Sequence, residues 1–384
     1  MSAAAHRVIY FGTYREEYAR NQILIEGLRR VGWEVVECHA PLWRGVEDRV
    51  KAASGGWASL GFLGRVLSAY IHLLRQYRKS GTFDVLLVGY PGHFDVFLAR
   101  LLASLRRQPL AWDVLNSLYL ITVERGIQKR SRITVELIRR IERLACRLPD
   151  MLFLDSQQFV GWFVDTHKLD PSRFRLVWIG ADERSFQPLE ITRPVEDIFR
   201  IIYYGSYIPN HGVEYIIEAA RILEAKSSQQ PVTVEMVGAG PEREKAQALA
   251  EKYQLQNVCF IDWLERDALV ERIARSDIVL GAFGTTRQLL LTNNNKIYEG
   301  FAMRKTVISA RTPALPELLH HEEHLYLCER GDPVSLAEAV RVLQANPALR
   351  SRLAENGYRI FKEHFNITAI GSEAASHLEE LIRR

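Results

Sequence analysis

Short apolar runs alternate with longer amphipathic stretches along the whole chain. In the first half, the runs lie at residues 7–12, 35–36, 85–88, 110–112 and 151–154, and a helical pattern at residues 23–31 separates the first two. Short apolar runs spaced by helix-length segments are typical of parallel strands joined by helices. The first half is therefore predicted to be an α/β unit with a parallel sheet.

The same rhythm restarts after Pro188 and Pro194. Further apolar runs follow at residues 199–204, 232–237, 258–261, 278–280 and 306–308. A chain of 384 residues also exceeds what a single hydrophobic core usually serves. We therefore predict an α/β protein with two Rossmann-like, doubly wound domains at residues 1–190 and 199–360, joined by a linker near 186–198.

Composition narrows the function classes. The chain has 50 basic and 46 acidic residues, so its net charge is only +4, whereas a nucleic-acid-binding protein would carry a strong basic excess. The four cysteines lie far apart without metal-ligand spacing, which argues against a zinc site or a disulfide framework. The sequence shows no secretory signal and no apolar run long enough to span a membrane, so we expect a cytoplasmic protein.

The most informative loop reads Thr-Asn-Asn-Asn-Lys-Ile-Tyr-Glu-Gly-Phe-Ala at residues 292–302. Asparagines are good N-caps, so a helix is predicted to begin just before or at Lys296. Its free N–H groups suit a phosphate, and Lys296 and Glu299 can share one helix face. A cation for phosphate and a carboxylate for sugar hydroxyls fit a nucleotide diphosphate sugar. The alternative is a surface ion pair.

Two glycine loops follow predicted strands in the second half. The first, at residues 204–212, contains Gly205, Ser206, His211 and Gly212. Small residues there let backbone amides approach an anion, although an ordinary turn would look the same. The second, Gly-Ala-Gly-Pro-Glu at residues 238–242, has Arg243 where the third glycine of GxGxxG would stand, so it fails as a dinucleotide fingerprint.

Taken in order, these motifs resemble those of family 4 glycosyltransferases of the GT-B fold, over nearly the whole chain. The similar segments are residues 178–188 (interdomain stretch), 205–220 (glycine-loop helix), 238–242 (GxGPE turn), 276–280, 295–308 (K-x-x-E segment) and 331–340 (closing helix). The resemblance implies a retaining, nucleotide-sugar-dependent enzyme whose two domains face a central cleft. It also implies that residues 361–384 form a helix packed back on the amino-terminal domain.

The resemblance assigns the expected site. The donor-binding residues are Gly12, Gly205, Ser206, His211, Gly212, Gly238, Arg287, Asn295, Lys296 and Glu299, and the catalytic residues are Asp113, Lys296 and Glu299. Asp113 is expected to contact the acceptor because it closes a strand whose loop would face the cleft. His93 and Glu124 are further candidates for acceptor contact, and a structural role stays open for all three.

The sequence departs from the family pattern at several positions. Leu291 replaces the usual first glutamate, Ser206 and His211 replace a basic pair in the glycine loop, and Asp113 stands where a histidine is common. Lys296 and Arg287 are therefore expected to supply the positive charge for the diphosphate. His211 could help only when protonated, and a histidine with an ordinary pKa is mostly neutral at pH 7.

The expected function is transfer of a sugar from a nucleotide-diphosphate sugar to a glycan, lipid-linked or small-molecule acceptor in cell-surface polysaccharide synthesis. No metal is expected, because the sequence has no Asp-x-Asp motif. No cofactor is expected either, and the small net charge argues against a nucleic-acid partner. The alternatives are a nucleotide-sugar epimerase of the same fold and a catalytically silent partner subunit. Residues 57–79, rich in aromatics, leucine and arginine, either touch the inner face of a membrane or pack as a core helix with snorkelling arginines.

Overall fold

The computed structural model describes residues 6–42, 60–127, 131–191, 198–225 and 230–384, without the side chains of residues 60, 62 and 63. The chain divides into two units, residues 1–178 with 367–384, and residues 179–366. Each unit is built on one parallel six-stranded sheet. The prediction of an α/β protein with two Rossmann-like sheets is confirmed.

The first unit has the sheet order β2-β1-β3-β4-β5-β6. Its strands are β1 (Arg7–Gly12), β2 (Glu34–His39), β3 (Val85–Val88), β4 (Leu110–Asp113), β5 (Met151–Leu154) and β6 (Phe174–Leu176). Its helices up to the second unit are α1 (Ala19–Arg30), α2 (Leu60–Lys79), α3 (Asp95–Arg106), α4 (Leu118–Glu124), α5 (Arg132–Arg147) and α6 (Gln157–His167). Every residue of β3, β4 and β5 is buried, because the elements around the sheet cover both of its faces.

The second unit has the sheet order β12-β11-β10-β7-β8-β9. Its strands are β7 (Phe199–Ser206), β8 (Val232–Ala239), β9 (Val258–Ile261), β10 (Ile278–Leu280), β11 (Thr306–Ala310) and β12 (Tyr326–Cys328). Its helices are α7 (Val213–Ala225), α8 (Arg243–Lys252), α9 (Arg266–Arg275), α10 (Asn295–Ala302), α11 (Pro333–Ala345) and α12 (Pro347–Ile360). A core of apolar residues from β7, β8, α7 and α11 fills one side of this sheet.

The boundaries between the units lie at residues 178/179 and 366/367, whereas the sequence places them at 190/199 and 360/361. Residues 179–186 belong to the second unit because the Ala181 N–H donates to the Phe365 carbonyl oxygen at 3.1 Å. Phe365 is the last residue of a π-helical turn at Phe361–Phe365. Its ring packs on Tyr298 of α10, with 4.6 Å between the two ring centroids. Residues 192–197 of the predicted linker lie outside the described residues.

The last helix, α13 (Ile367–Arg383), belongs to the first unit and packs on α1 through a pair of glycines. A Cβ added to Gly371 would lie 2.2 Å from the carbonyl carbon of Gly27. A Cβ added to Gly27 would lie 2.6 Å from the carbonyl oxygen of Ile367. The two helix backbones are therefore in direct contact, and only glycine permits this approach.

Gly371→Ala is expected to destabilise the protein by about 1–3 kcal/mol, because overpacking at the backbone contact outweighs the helix propensity gained by alanine. Urea unfolding checks this value. The matched control is Gly161→Ala in α6, where an added Cβ meets nothing within 4 Å, so that stability should be unchanged or higher. Equal stability of the two variants would contradict a close helix–helix contact.

Among the described residues, no helix combines the length and apolar character needed to cross a bilayer. Residues 57–59 of the predicted membrane-contacting segment lie outside the described part, as does the side chain of Phe62. The remainder is α2, which buries Ala69, Leu73 and Tyr77 and exposes Leu67 and Ile71. One face of this helix is core, and the opposite face presents apolar side chains to solvent.

Candidate functional site

The strand order of the second unit reverses beside β7. Strands β8 and β9 continue on one side of β7, and β10, β11 and β12 continue on the other. In doubly wound sheets, ligands bind beyond the carboxyl ends of the strands at such a switch point. The loops that follow β7 and β10 touch there, because a Cβ on Gly212 would lie 2.4 Å from the backbone nitrogen of Gly284.

Helix α10 begins at this switch point. It runs from Asn295 to Ala302 with Asn294 as its N-cap, which confirms the predicted start of the helix. Asn294 has extended backbone angles but makes no capping hydrogen bond with its side chain, and its Oδ1 atom is buried without a hydrogen-bond partner. Asn293 instead anchors the loop, because its Nδ2 donates to the Ala314 carbonyl oxygen at 2.8 Å.

Lys296 is buried in the first turn of α10, with 5% of its surface exposed. Gly205 at the end of β7 makes room for it, because its φ is +124° and an added Cβ would lie 3.4 Å from Lys296 Cε. The Nζ atom lies 5.2 Å from the centroid of the Tyr203 ring. Burial lowers the pKa of Lys296 to about 8, although Glu299 opposes this shift. The alternative of a surface ion pair is therefore wrong for Lys296.

His211 connects the glycine loop to Lys296. Its Nδ1 lies 2.5 Å from the Ser206 carbonyl oxygen and 2.8 Å from the Tyr203 hydroxyl, and its Nε2 lies 3.4 Å from Lys296 Nζ. These contacts assign the proton to Nδ1, so that Nε2 accepts from the ammonium group. Desolvation and the charge of Lys296 lower the pKa of His211 well below 6.5. His211 is thus neutral at pH 7, and the positive charge of the site resides on Lys296.

Glu299 follows Lys296 by one helical turn and is partly buried. Burial raises the pKa of its carboxyl group, and the nearby Tyr204 hydroxyl, Lys296 and Arg266 oppose this shift. The start of α10 therefore carries an ammonium group and a carboxyl group in a poorly solvated setting. This pair can bind an anion next to a hydroxyl-bearing group, because charge interactions strengthen as water is excluded.

Other sequence-predicted positions of this unit lie on β8 and in the loop after β10. Gly238 faces Gly205 in register on the neighbouring strand, and a Cβ on Gly238 would lie 2.1 Å from the Gly205 carbonyl oxygen, so it shapes the end of the sheet. Arg287 is exposed and precedes a 3-10 turn at Gln288–Leu290. Leu291, which stands in place of the family's glutamate, is buried with 8% exposure.

Gly12 and Asp113 belong to the first unit. Gly12 closes β1 with a φ of +137°, and an added Cβ would lie 2.7 Å from the Asp95 carboxylate. Asp113 has no exposed surface, and its oxygens accept from Arg20 at 2.8 and 3.0 Å. Arg20 also donates to the Trp178 carbonyl oxygen at 2.6 Å. The structure thus gives Asp113 a buried structural partner, and its contact with an acceptor stays a prediction.

A buried carboxylate that was not among the predicted site residues is Glu142 on α5, which is 1% exposed. It accepts hydrogen bonds from His93 Nε2 (3.2 Å), Ser117 Oγ (2.7 Å) and the backbone N–H groups of Leu118 (2.6 Å) and Tyr119 (3.4 Å), and His167 Nε2 lies 3.0 Å from its Oε2 atom. Desolvation alone would raise the pKa of Glu142, but the two histidines outweigh it and lower the pKa to about 2. Glu142 therefore fixes the loops that follow β3 and β4.

Of the two remaining acceptor candidates, His93 contacts this carboxylate and Glu124 lies at the end of a helix. His93 is buried, and its ring packs edge-on against Trp112 at 5.0 Å between centroids. Glu124 is the last residue of α4 and is half-buried. The local sequence does not predict that Glu142 is buried and accepts several hydrogen bonds, because a glutamate among arginines on a helix usually indicates a solvated surface.

Comparison with known proteins connects these features to a family. Residues 189–360 match the family described as "Glycosyl transferases group 1". Over 175 residues the chain is 28% identical to the lipopolysaccharide core biosynthesis glycosyltransferase LpsD of Rhizobium meliloti (strain 1021). That alignment covers 45% of this chain and 47% of that protein, so the chain aligns with about half the length of its curated relative.

Solved structures match over the whole chain. HepE of Anabaena in complex with UDP-glucose has a TM-score of 0.69 at 15% identity, covering 98% of this chain and 100% of that chain. The sucrose-phosphate synthase of Thermosynechococcus elongatus has a TM-score of 0.72 at 16% identity, covering 98% of this chain and 99% of that chain. At these identities the likeness establishes the fold, which is the predicted GT-B fold.

Proposed function

We propose that this chain, which carries a group 1 glycosyltransferase domain at residues 189–360, is a retaining family 4 glycosyltransferase. It moves a sugar from a nucleotide-diphosphate donor to a glycan or lipid-linked acceptor in the cytoplasm. The observation that carries this proposal is the buried ammonium group of Lys296, beside Gly205 and the first turn of α10. A cation in a poorly solvated pocket next to free helix N–H groups suits a diphosphate.

In the proposed reaction, Lys296 and the first N–H groups of α10 stabilise the negative charge that develops on the leaving diphosphate. Glu299 holds hydroxyl groups of the donor. The bond from the anomeric carbon to the phosphate oxygen breaks, and the bond to the acceptor oxygen forms on the same face of the sugar. The acceptor's proton passes to the departing phosphate oxygen, so the proposal requires neither a metal ion nor a protein base.

The comparisons support a choice of first substrates. HepE was solved with UDP-glucose, which makes UDP-sugars the first donors to test. The relative LpsD is a lipopolysaccharide core biosynthesis glycosyltransferase, which supports a cell-surface glycan as the acceptor class. These are proposals for this chain, because HepE is only 15% identical and LpsD aligns over less than half of its length.

A panel of nucleoside diphosphates and their sugars tests the proposal. We expect calorimetric binding of one nucleoside diphosphate and slow hydrolysis of the corresponding sugar donor. Transfer should give a product with the donor's anomeric configuration, which NMR identifies. If none of the nucleoside diphosphates binds, the protein is a silent subunit. An altered sugar nucleotide without any transfer product would instead indicate an epimerase.

The affinity for UDP, or for whichever nucleoside diphosphate binds, is expected to fall about tenfold per pH unit above pH 8. The pKa of Lys296 is about 8, so the ligand-free site loses its ammonium charge as the pH rises through that value. Calorimetry between about pH 7 and pH 9.5 measures this slope. The control is Lys296→Arg, whose guanidinium stays protonated in this range and should flatten the profile. A flat wild-type profile would contradict the role of Lys296.

A further inference from the structure

Large apolar side chains are exposed on three helices of the first unit. They are Leu67 (64% exposed) and Ile71 (40%) on α2, Leu101 (58%) and Leu105 (73%) on α3, and Ile133 (84%), Leu137 (55%) and Leu144 (53%) on α5. Single exposed apolar residues are normal on protein surfaces, but a concentration of them on adjacent elements marks an interaction site.

The three helices lie on the same side of the sheet. Helix α2 connects β2 to β3, α3 connects β3 to β4, and α5 lies in the connection from β4 to β5. These connections all run in the same direction across the sheet. Right-handed crossovers that run in one direction place their helices on the same face of the sheet. Helix α1 steps the other way, from β1 to β2, and packs with α13. A direct contact shows that α2 and α3 are neighbours, because the Tyr77 hydroxyl of α2 donates to the Leu102 carbonyl oxygen of α3 at 2.8 Å.

The same helices are basic, although the whole chain is nearly balanced in charge. Helix α2 carries three arginines and a lysine and no acidic residue. The only acidic residue of α3 is Asp95, which is buried. Helix α5 carries five arginines and two glutamates, of which Glu142 is buried and Glu136 pairs with Arg139 and Arg140.

On α5 the apolar and basic positions form two adjoining stripes. Ile133, Leu137 and Leu144 are spaced by four and seven residues, so they lie on one line along the helix. Arg140 and Arg147 follow Leu137 and Leu144 by three residues and are exposed beside them.

We propose that this basic helical face, formed by the exposed sides of α2, α3 and α5, binds an anionic lipid surface. The leucines and isoleucines enter the boundary between headgroups and acyl chains, while the arginines contact lipid phosphates. The charge complementarity favours a membrane over a second copy of this chain, whose own face would be equally positive. This inference goes beyond the proposed function, because it concerns a surface of the first unit that contains none of the proposed donor-binding side chains of the second.

Co-sedimentation with vesicles tests the proposal. The purified protein should bind vesicles that contain phosphatidylglycerol and phosphatidylcholine, and not vesicles of phosphatidylcholine alone. Binding should weaken as ionic strength rises from about 0.05 to 0.5 M, because salt screens the arginines. The double variant Leu137→Ser/Leu144→Ser should lower the partition coefficient at least about tenfold, since two apolar side chains no longer enter the membrane.

A second double variant, Arg140→Glu/Arg147→Glu, should abolish the preference for anionic vesicles. The matched controls lie in the second unit, where Trp263→Ser removes an apolar side chain that is 64% exposed and Arg275→Glu reverses an exposed arginine. Both controls should bind vesicles like wild type. Nucleoside diphosphate binding should be unchanged in all four variants, which separates this surface from the donor site and shows that the variants are folded.

Three results would overturn the proposal. The first is equal binding to neutral and anionic vesicles, and the second is binding that neither double variant reduces. The third is a dimer, detected by light scattering, that the same double variants dissociate, because the face would then be an interface between copies of this chain.

Discussion

Lys296→Ala is expected to lower sugar transfer and donor hydrolysis by about 10²–10³-fold, the usual cost of removing one group that stabilises charge in the transition state. The expectation follows from the position of Lys296, which is 5% exposed and lies beside Gly205 in the first turn of α10. Few water molecules therefore compete with a diphosphate for its ammonium group. Glu299→Gln is expected to weaken donor binding as well, because its carboxylate holds donor hydroxyl groups. Steady-state kinetics with the identified donor measures both.

A stability measurement distinguishes loss of function from loss of fold. Burial lowers the pKa of Lys296 from 10.5 to about 8, so below pH 8 the ligand-free protein carries a destabilising charge. A shift of that size corresponds to about 3 kcal/mol. Methionine in Lys296→Met has an unbranched side chain of similar length without the charge. This variant should therefore raise the melting temperature of the ligand-free protein, and it should abolish the stabilisation by UDP.

Exposed residues of the same unit serve as controls. Lys252→Ala and Glu271→Gln remove one charge of each sign away from the start of α10, and both should keep wild-type rates. If Lys296→Ala and Glu299→Gln also kept near wild-type rates of hydrolysis and transfer, the proposed donor site would be refuted. A Lys296→Met protein that melts below wild type would show that this lysine stabilises the fold.

Glu142→Gln is expected to lower the free energy of unfolding by about 3 kcal/mol at pH 7, which corresponds to the change in its pKa from 4.5 to about 2. Glu142 is 1% exposed, and its carboxylate accepts hydrogen bonds from His93, Ser117 and the Leu118 N–H, so the neutral amide leaves buried donors poorly satisfied. Urea unfolding of the full chain measures the difference, with a ligand-free sample of each variant.

The pH dependence of this contribution has a definite sign. Because the pKa of Glu142 is lower in the folded protein, its stabilisation is complete above about pH 4.5 and is lost as the pH falls towards 2. The difference in stability between wild type and Glu142→Gln should therefore shrink on acidification below pH 4.5. A difference that stayed constant down to the acid unfolding transition would contradict the proposed charge interaction.

Glu136 on the same helix is the matched control. Hydrogen bonds from Arg139 and Arg140 lower its pKa to about 2 as well, but its carboxylate is exposed, so solvent screens the pair. Glu136→Gln should therefore leave stability nearly unchanged. Equal losses in the two variants would mean that burial is not what makes Glu142 important.

Local patterns predict most of the strands. Strands such as β3 and β5 read as continuous apolar runs because both faces of each sheet are covered, and burial on both sides requires apolar side chains at every position. The exceptions are β6 and β12, which are three residues long and lie at the edges of their sheets. In β6 an arginine interrupts the apolar residues and the strand is only partly buried, whereas β12 is apolar but was not recognised as a strand.

The sequence by itself also determined the start of α10 and the pairing of Lys296 with Glu299 on one turn, since caps and helical periodicity depend on neighbours in the chain. Only the tertiary structure decided how these groups are charged. Lys296 is buried because Gly205, far away in sequence, leaves space for it. Burial, together with the charge of the same ammonium group, lowers the pKa of His211 and keeps it neutral. Burial and protonation depend on contacts between distant residues, which no local pattern records.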